Sequence, residues 1–158
     1  MYLLVIGLAL ASAYLYLEKN LTRARQEAIR EKGSLVMPFD LSQTTHIFQK
    51  TDTGGVQQVR VKDASDKEQI AMVQSHLKKE AERFSQGDFS DPQALHGESM
   101  PGLSVLAGAQ GRFTVEYVDL VDGGQINYIT GDEEVLDALH MWFMAQLQDH
   151  GADAMEHM

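Results

Sequence analysis

The sequence predicts an α+β fold: a two-layer sandwich in which a four-stranded antiparallel sheet carries two helices on one face, in the order ββα-ββα, preceded by an apolar N-terminal helix. Three observations predict it. Two pairs of β-rich runs are each broken by a glycine-bearing turn cluster, Thr51-Asp52-Thr53-Gly54-Gly55 and Asp122-Gly123-Gly124, which is the chemistry of a hairpin connection. Each pair is followed by a capping sequence and then by apolar residues at helical spacing. The chain has 158 residues, 44% of them hydrophobic and 23% charged, enough for one hydrophobic core and unlike a disordered chain.

The first element is residues 1–33, an apolar segment followed by a polar stalk. Tyr2 to Leu17 carries no charge. As a helix it would be about 24 Å long, short of the roughly 30 Å hydrocarbon core of a membrane. Two readings stay open. Leu3–Leu10 followed by Ala11-Ser12-Ala13 has the form of an export signal with a small-x-small cleavage site, although Lys or Arg is missing before the apolar run. Alternatively, residues 2–17 are an uncleaved membrane anchor flanked by Tyr14, Tyr16 and Lys19. The basic residues Lys19, Arg23, Arg25, Arg30 and Lys32 would then favour a cytoplasm-facing domain. Export, or an anchored extracytoplasmic (periplasmic) domain, is the expectation preferred here. Leu21 to Lys32 is rich in helix formers, and Gly33 is expected to end the helix.

The α+β domain is expected over residues 34–150. Thr44–Gln49 and Val56–Lys62 read as a hairpin. Ser65-Asp66-Lys67-Glu68 has the capping-box form, and Ile70, Val73, Leu77, Ala81 and Phe84 follow on one helix face. The pattern recurs in Arg112–Leu120 and Gln125–Thr130, the cap Thr130-Gly131-Asp132-Glu133, and the face Leu136, Leu139, Phe143 and Leu147. Between the halves lies a connector, Asp88 to Gln110, with a short helix expected at Leu103–Gly108. Residues 151–158 read as a frayed tail.

Composition excludes several functions. With no cysteine, disulfides, thiolate metal sites and cysteine nucleophiles are ruled out. Thirteen basic against 23 acidic side chains give a net charge of −10, the wrong sign for nucleic acid. The charge is uneven: +2 over residues 1–32, zero over 33–87 and −12 over 88–158, where Arg112 is the one basic residue. The late half should attract cations or basic partners. Gly97-Glu98-Ser99-Met100-Pro101 lacks the last glycine of a nucleophile elbow. There is neither a phosphate loop nor a His-Glu-x-x-His pair. His76 and Glu80, four apart, read as a solvated contact.

What remains is histidine with methionine. Imidazole and thioether without thiolate suit copper. His96 and Met100 lie four apart in the connector, His140 and Met144 four apart on the last helix, and Asp149-His150 precedes Met155-Glu156-His157-Met158. Counted at about 100° per residue, His140 and His150 fall on the inward face of the last helix, about 15 Å apart along it. The candidate metal ligands are His46, His96, Met100, His140 and His150.

Met37-Pro38-Phe39-Asp40-Leu41, Thr44-Thr45-His46-Ile47-Phe48, Gly54-Gly55-Val56-Gln57, Gly87-Asp88-Phe89, His96-Gly97, Met100-Pro101-Gly102-Leu103, His140-Met141-Trp142-Phe143, Ala145-Gln146, Asp149-His150-Gly151 and Asp153-Ala154 resemble an uncharacterised family of small exported proteobacterial proteins, often named "aspartate carbamoyltransferase". The resemblance covers most of residues 37–158. It implies an N-terminal export segment and no catalytic residue. The enzyme name does not fit the chemistry. A carbamoyltransferase holds carbamoyl phosphate with a Ser-Thr-Arg-Thr motif, absent here, and needs two domains and basic groups for its anionic substrates.

Three functions are therefore expected in order. The first is an extracytoplasmic module that binds a transition metal such as copper. The second is a membrane-tethered interaction or assembly module, pairing as a homo-oligomer or with a protein partner. There, alternation puts His46, Phe48 and Lys50 on one face of the first strand, and an exposed Phe48 would mark a contact surface. The third is an acid–base enzyme using an Asp149/His150 dyad, which would need a pocket that sequence neighbours do not make.

Overall fold

The structure, a computed structural model, describes residues 2–156, without the side chains of residues 2–6, 8 and 9. Met1 and the tail residues His157 and Met158 thus lie outside the described residues, as do most side chains at the start of the expected signal or anchor.

Five helices and five strands follow in the order α1 (Tyr2–Val36), β1 (Thr44–Thr51), β2 (Gly54–Val61), α2 (Lys67–Ser85), α3 (Ser90–His96), α4 (Leu103–Ala107), β3 (Phe113–Leu120), β4 (Gly123–Thr130), α5 (Glu133–His150) and β5 (Ala154–Glu156). The ββα-ββα order holds, and both hairpins form antiparallel pairs in register, Thr51 opposite Gly54 and Leu120 opposite Gly123. The sheet, however, has five strands in the order β3-β4-β2-β1-β5. The fifth is parallel to β1, with His46 opposite Ala154, so the sheet is mixed rather than four-stranded and antiparallel. A 3-10 turn at Gly151–Asp153 folds the expected frayed tail back onto the edge of β1. Lys50 ties it there through Glu156 at 3.2 Å.

The inner face of the sheet, with Phe48, Val59, Val61, Ile126 and Tyr128, shares one core with Ile70, Val73, Leu77, Ala81 and Phe84 of α2 and Val135, Ala138, Leu139, Trp142 and Phe143 of α5. The predicted face of α2 is therefore the observed one. On α5 the buried stripe turns by one position, centred on Ala138, Trp142 and Gln146, and Leu136 and Leu147 stay half-buried. The caps also shift. Asp66, not Ser65, accepts from the Gln69 amide, and Asp132, not Thr130, accepts from Glu134 and Val135. The aspartates sit nearer the first turn, where a carboxylate meets the free amides and the positive end of the helix.

Helix α1 does not stop at Gly33. Met37 still bonds to the Gly33 carbonyl, and a Cβ at Gly33 would come within 2.7 Å of the Leu41 Cδ1 atom; this glycine serves close packing, not a helix end. The C-terminal part of α1 docks on the body through buried Ile29. Leu10, Tyr14, Leu15, Tyr16 and Leu17 are exposed. Among the described residues, no helix is long and apolar enough to cross a membrane.

Candidate functional site

Alternation along β1 turns Thr44, His46 and Phe48 inward. His46 and Phe48 share a face as expected, but it is the buried one: Phe48 is 1% exposed and carries no contact surface. It packs on Phe143 of α5 with ring centroids 5.2 Å apart. Helix α3 is anchored by Phe89, whose ring stacks on Phe84 at 4.5 Å and meets Trp142 edge-on. That anchor drives His96, at the last turn of α3, into the interior. Helix α5 delivers Trp142, Gln146, Asp149 and His150 from its inward face.

These elements enclose a cavity of about 40 Å³ lined by His46, His76, His96 and His150, by Glu80, Trp142 and Gln146, and by aromatic walls including Phe39 and Phe84. A buried water needs about 10–15 Å³ of such space, so the cavity suits a guest of a few heavy atoms. Among the described residues, three buried side-chain polar atoms lack a hydrogen-bond partner: His46 Nδ1, Trp142 Nε1 and Gln146 Oε1. All three belong to residues lining this one cavity. Orphaned buried polar groups are rare and costly, and their convergence marks the site.

The imidazoles are arranged by their neighbours. His96 Nδ1 lies 2.8 Å from an Asp149 carboxylate oxygen, and donation there leaves Nε2 with a free lone pair. Asp149 is held in turn by Arg25 of α1, through Nε and Nη2, the latter at 2.8 Å. Burial pushes the Asp149 carboxyl up, but hydrogen bonds from His96 and Arg25 outweigh burial and bring it down to about 2. Burial, then the neighbouring His96, pulls His150 down to about 4, and burial with three nearby imidazoles holds His46 well below the ordinary histidine range. Both rings are neutral at pH 7. Across the cavity, burial and then Asp91 push the Glu80 carboxyl up to about 7, against the pull of Arg83.

Of the five residues expected as ligands, the fold brings together His46, His96 and His150. The His46 and His150 rings stack at 4.7 Å and 12°, and His96 meets His150 edge-on at 5.2 Å. As they stand, the stacked rings present faces to each other. Among the described residues, no three His, Asp or Glu side chains form a ready-made metal cluster. His140 is elsewhere: its Nε2 lies 2.8 Å from the Gly54 carbonyl, and it lines an open groove with Met141, Met144 and Met155. Met100 is packed in the apolar core. The Asp149/His150 dyad is replaced by Asp149/His96, because adjacent residues on a helix point about 100° apart.

Sequence reasoning missed Arg25, Trp142 and Gln146, and its reading of His76 and Glu80 as a solvated contact is overturned: both line the cavity, and Glu80 is buried. For Glu80 a signal existed. Counted from Ile70 at about 100° per residue, it falls within about 20° of Val73, on the margin of the apolar stripe. Arg25 had none, since its partner is 124 positions away.

No protein-family model, no curated protein and no solved structure matches the chain.

Proposed function

We propose that the protein captures a d-block cation such as copper or zinc, with the histidine cavity as its binding site. The observation that carries this reading is the convergence of four imidazoles and three orphaned polar atoms on one cavity. Neutral imidazoles are strong ligands for such ions. A carboxylate behind His96 is the support that orients a metal-ligating imidazole. His46, His96 and His150 would hold the ion after one of the stacked rings turns about its χ2. The Trp142 N–H and the Gln146 carbonyl oxygen would hold its remaining water. Glu80 would supply compensating charge by losing its proton, and His96, Asp149 and His150 lie in residues 88–158, whose net charge is −12.

Trp142 is the one tryptophan in the chain, so its fluorescence reports on the cavity. Titration of the full chain with copper(II), and separately with zinc(II), should change that signal at one equivalent. His46→Ala and His96→Ala should weaken binding by about a hundredfold, and His140→Ala should not. Equal affinity in all four proteins, or affinity no tighter than that of a surface histidine, would sink the reading.

A second reading is favoured by the exposed apolar residues of α1, from Leu10 to Leu17: a membrane-tethered assembly module facing the extracytoplasmic side, as the family resemblance implies. Flotation of the full chain with lipid vesicles, compared with a chain lacking residues 2–17, tests the tether.

A further inference from the structure

The cavity shares lining residues with two neighbouring spaces. On one side His46 and His150 also line a crevice of about 10 Å³ beneath α1. That side is fastened: Ile29 is buried, Arg25 grips Asp149, Gln26 donates to the Gln148 carbonyl at 2.8 Å and Arg30 meets Asp153 at 2.7 Å. On the other side His76 and Asp91 line both the cavity and an open depression of about 500 Å³, whose lining also includes Ala71, Met72 and Ser75 of α2 and, at the C-terminal end of α1, Val36 with Pro38. The His76 ring is seated by an edge contact with Phe39, centroids 5.6 Å apart. Arg83, bonded to Glu80, Asp88 and Asp91, fixes the carboxylates around it.

We propose that the cavity is reached between α2 and α3, and that His76 is the transit residue, facing the outer depression in one rotamer and the cavity in the other. An imidazole that can face both sides offers a partly dehydrated cation one ligand throughout its passage, whereas the α1 side would first have to break the Arg25, Gln26 and Arg30 contacts. The nature of the cargo rests on the cation reading above; the route does not.

The test begins without any ion. Acrylamide quenching of Trp142 measures how readily a small polar solute reaches the cavity. His76→Ala should raise the quenching rate constant about threefold or more, and Arg30→Ala, which loosens the α1 side, should leave it within about 1.5-fold. No rise in His76→Ala, or a larger one in Arg30→Ala, overturns the route. Far-ultraviolet circular dichroism identifies any variant that has lost its fold. His76→Phe keeps the edge contact with Phe39 and plugs the wall, so quenching should fall; quenching at or above the native rate overturns the proposal. In stopped-flow mixing with copper(II), His76→Phe should slow capture about tenfold. If copper(II) binds and His76→Phe captures it as fast as the native chain, the route is wrong. If copper(II) and zinc(II) are not bound at all, the cation reading falls and the acrylamide arm alone decides the route.

Discussion

Replacing Glu80 by Gln removes one ionisable proton and almost nothing else, because the side chains are nearly the same size. The native carboxyl is 4% exposed. Its position rises from 4.5 to about 7 because burial, and then the adjacent Asp91, disfavour the anion more than Arg83 favours it. The folded protein therefore holds a proton on Glu80 between these two values, where the unfolded chain has released it. That proton stabilises the fold fully below 4.5, and the benefit fades as the pH rises through 7. The interval corresponds to about 3.5 kcal/mol at most, at about 1.4 kcal/mol per tenfold change in proton affinity. Urea unfolding of the native chain and of Glu80→Gln at pH 5, 6, 7, 8 and 9 isolates this term, since the histidines and other carboxylates cancel in the difference. The native chain should lose about 2–3 kcal/mol relative to the variant between pH 5 and 9. Parallel curves across that range would show that Glu80 is solvated and that the burial argument for the cavity is wrong.

Three further outcomes follow from the same geometry. Acidification from pH 6.5 towards 4 should destabilise the fold: His46 and His150 resist protons when folded and take them up when unfolded, a loss of about 3 kcal/mol for His150 alone. Melting temperatures of the native chain and of His150→Phe should show it as a shallower acid slope in the variant. Arg25→Met leaves the buried Asp149 with His96 as its remaining side-chain hydrogen-bond partner. Because Arg25 is half-exposed, the cost should be about 1–3 kcal/mol rather than the full penalty of breaking a buried pair; a loss below about 0.5 kcal/mol in urea denaturation would show that α1 does not hold the site. Gly54→Ala should destabilise by more than about 3 kcal/mol, since the new Cβ would fall 1.8 Å from the Tyr128 carbonyl oxygen. A soluble, normally stable variant would mean that the β2–β4 spacing is wrong.

Local order was legible in the sequence. Turn glycines, capping aspartates and apolar residues three and four apart act over a few residues, so the two hairpins, α2, α5 and the short helix α4 could be placed without coordinates. The same local logic put His46 on a strand face with Phe48 and His150 on the inward side of α5. It failed wherever a distant partner decides. Gly33 looks like a helix end until Leu41 is packed against it. Residues 154–156 look like a tail until the edge of β1 offers unpaired backbone groups, and Phe48 looks available until α5 covers it. The site shows the same division. Residue chemistry singled out histidine, but only tertiary structure chose His46, His96 and His150, sent His140 to a backbone carbonyl and Met100 to the core, and added His76, Glu80, Trp142 and Gln146. Side-chain period and capping are short-range, whereas a cavity is a meeting of surfaces from β1, α2, α3 and α5, and its orphaned atoms exist only once those surfaces close.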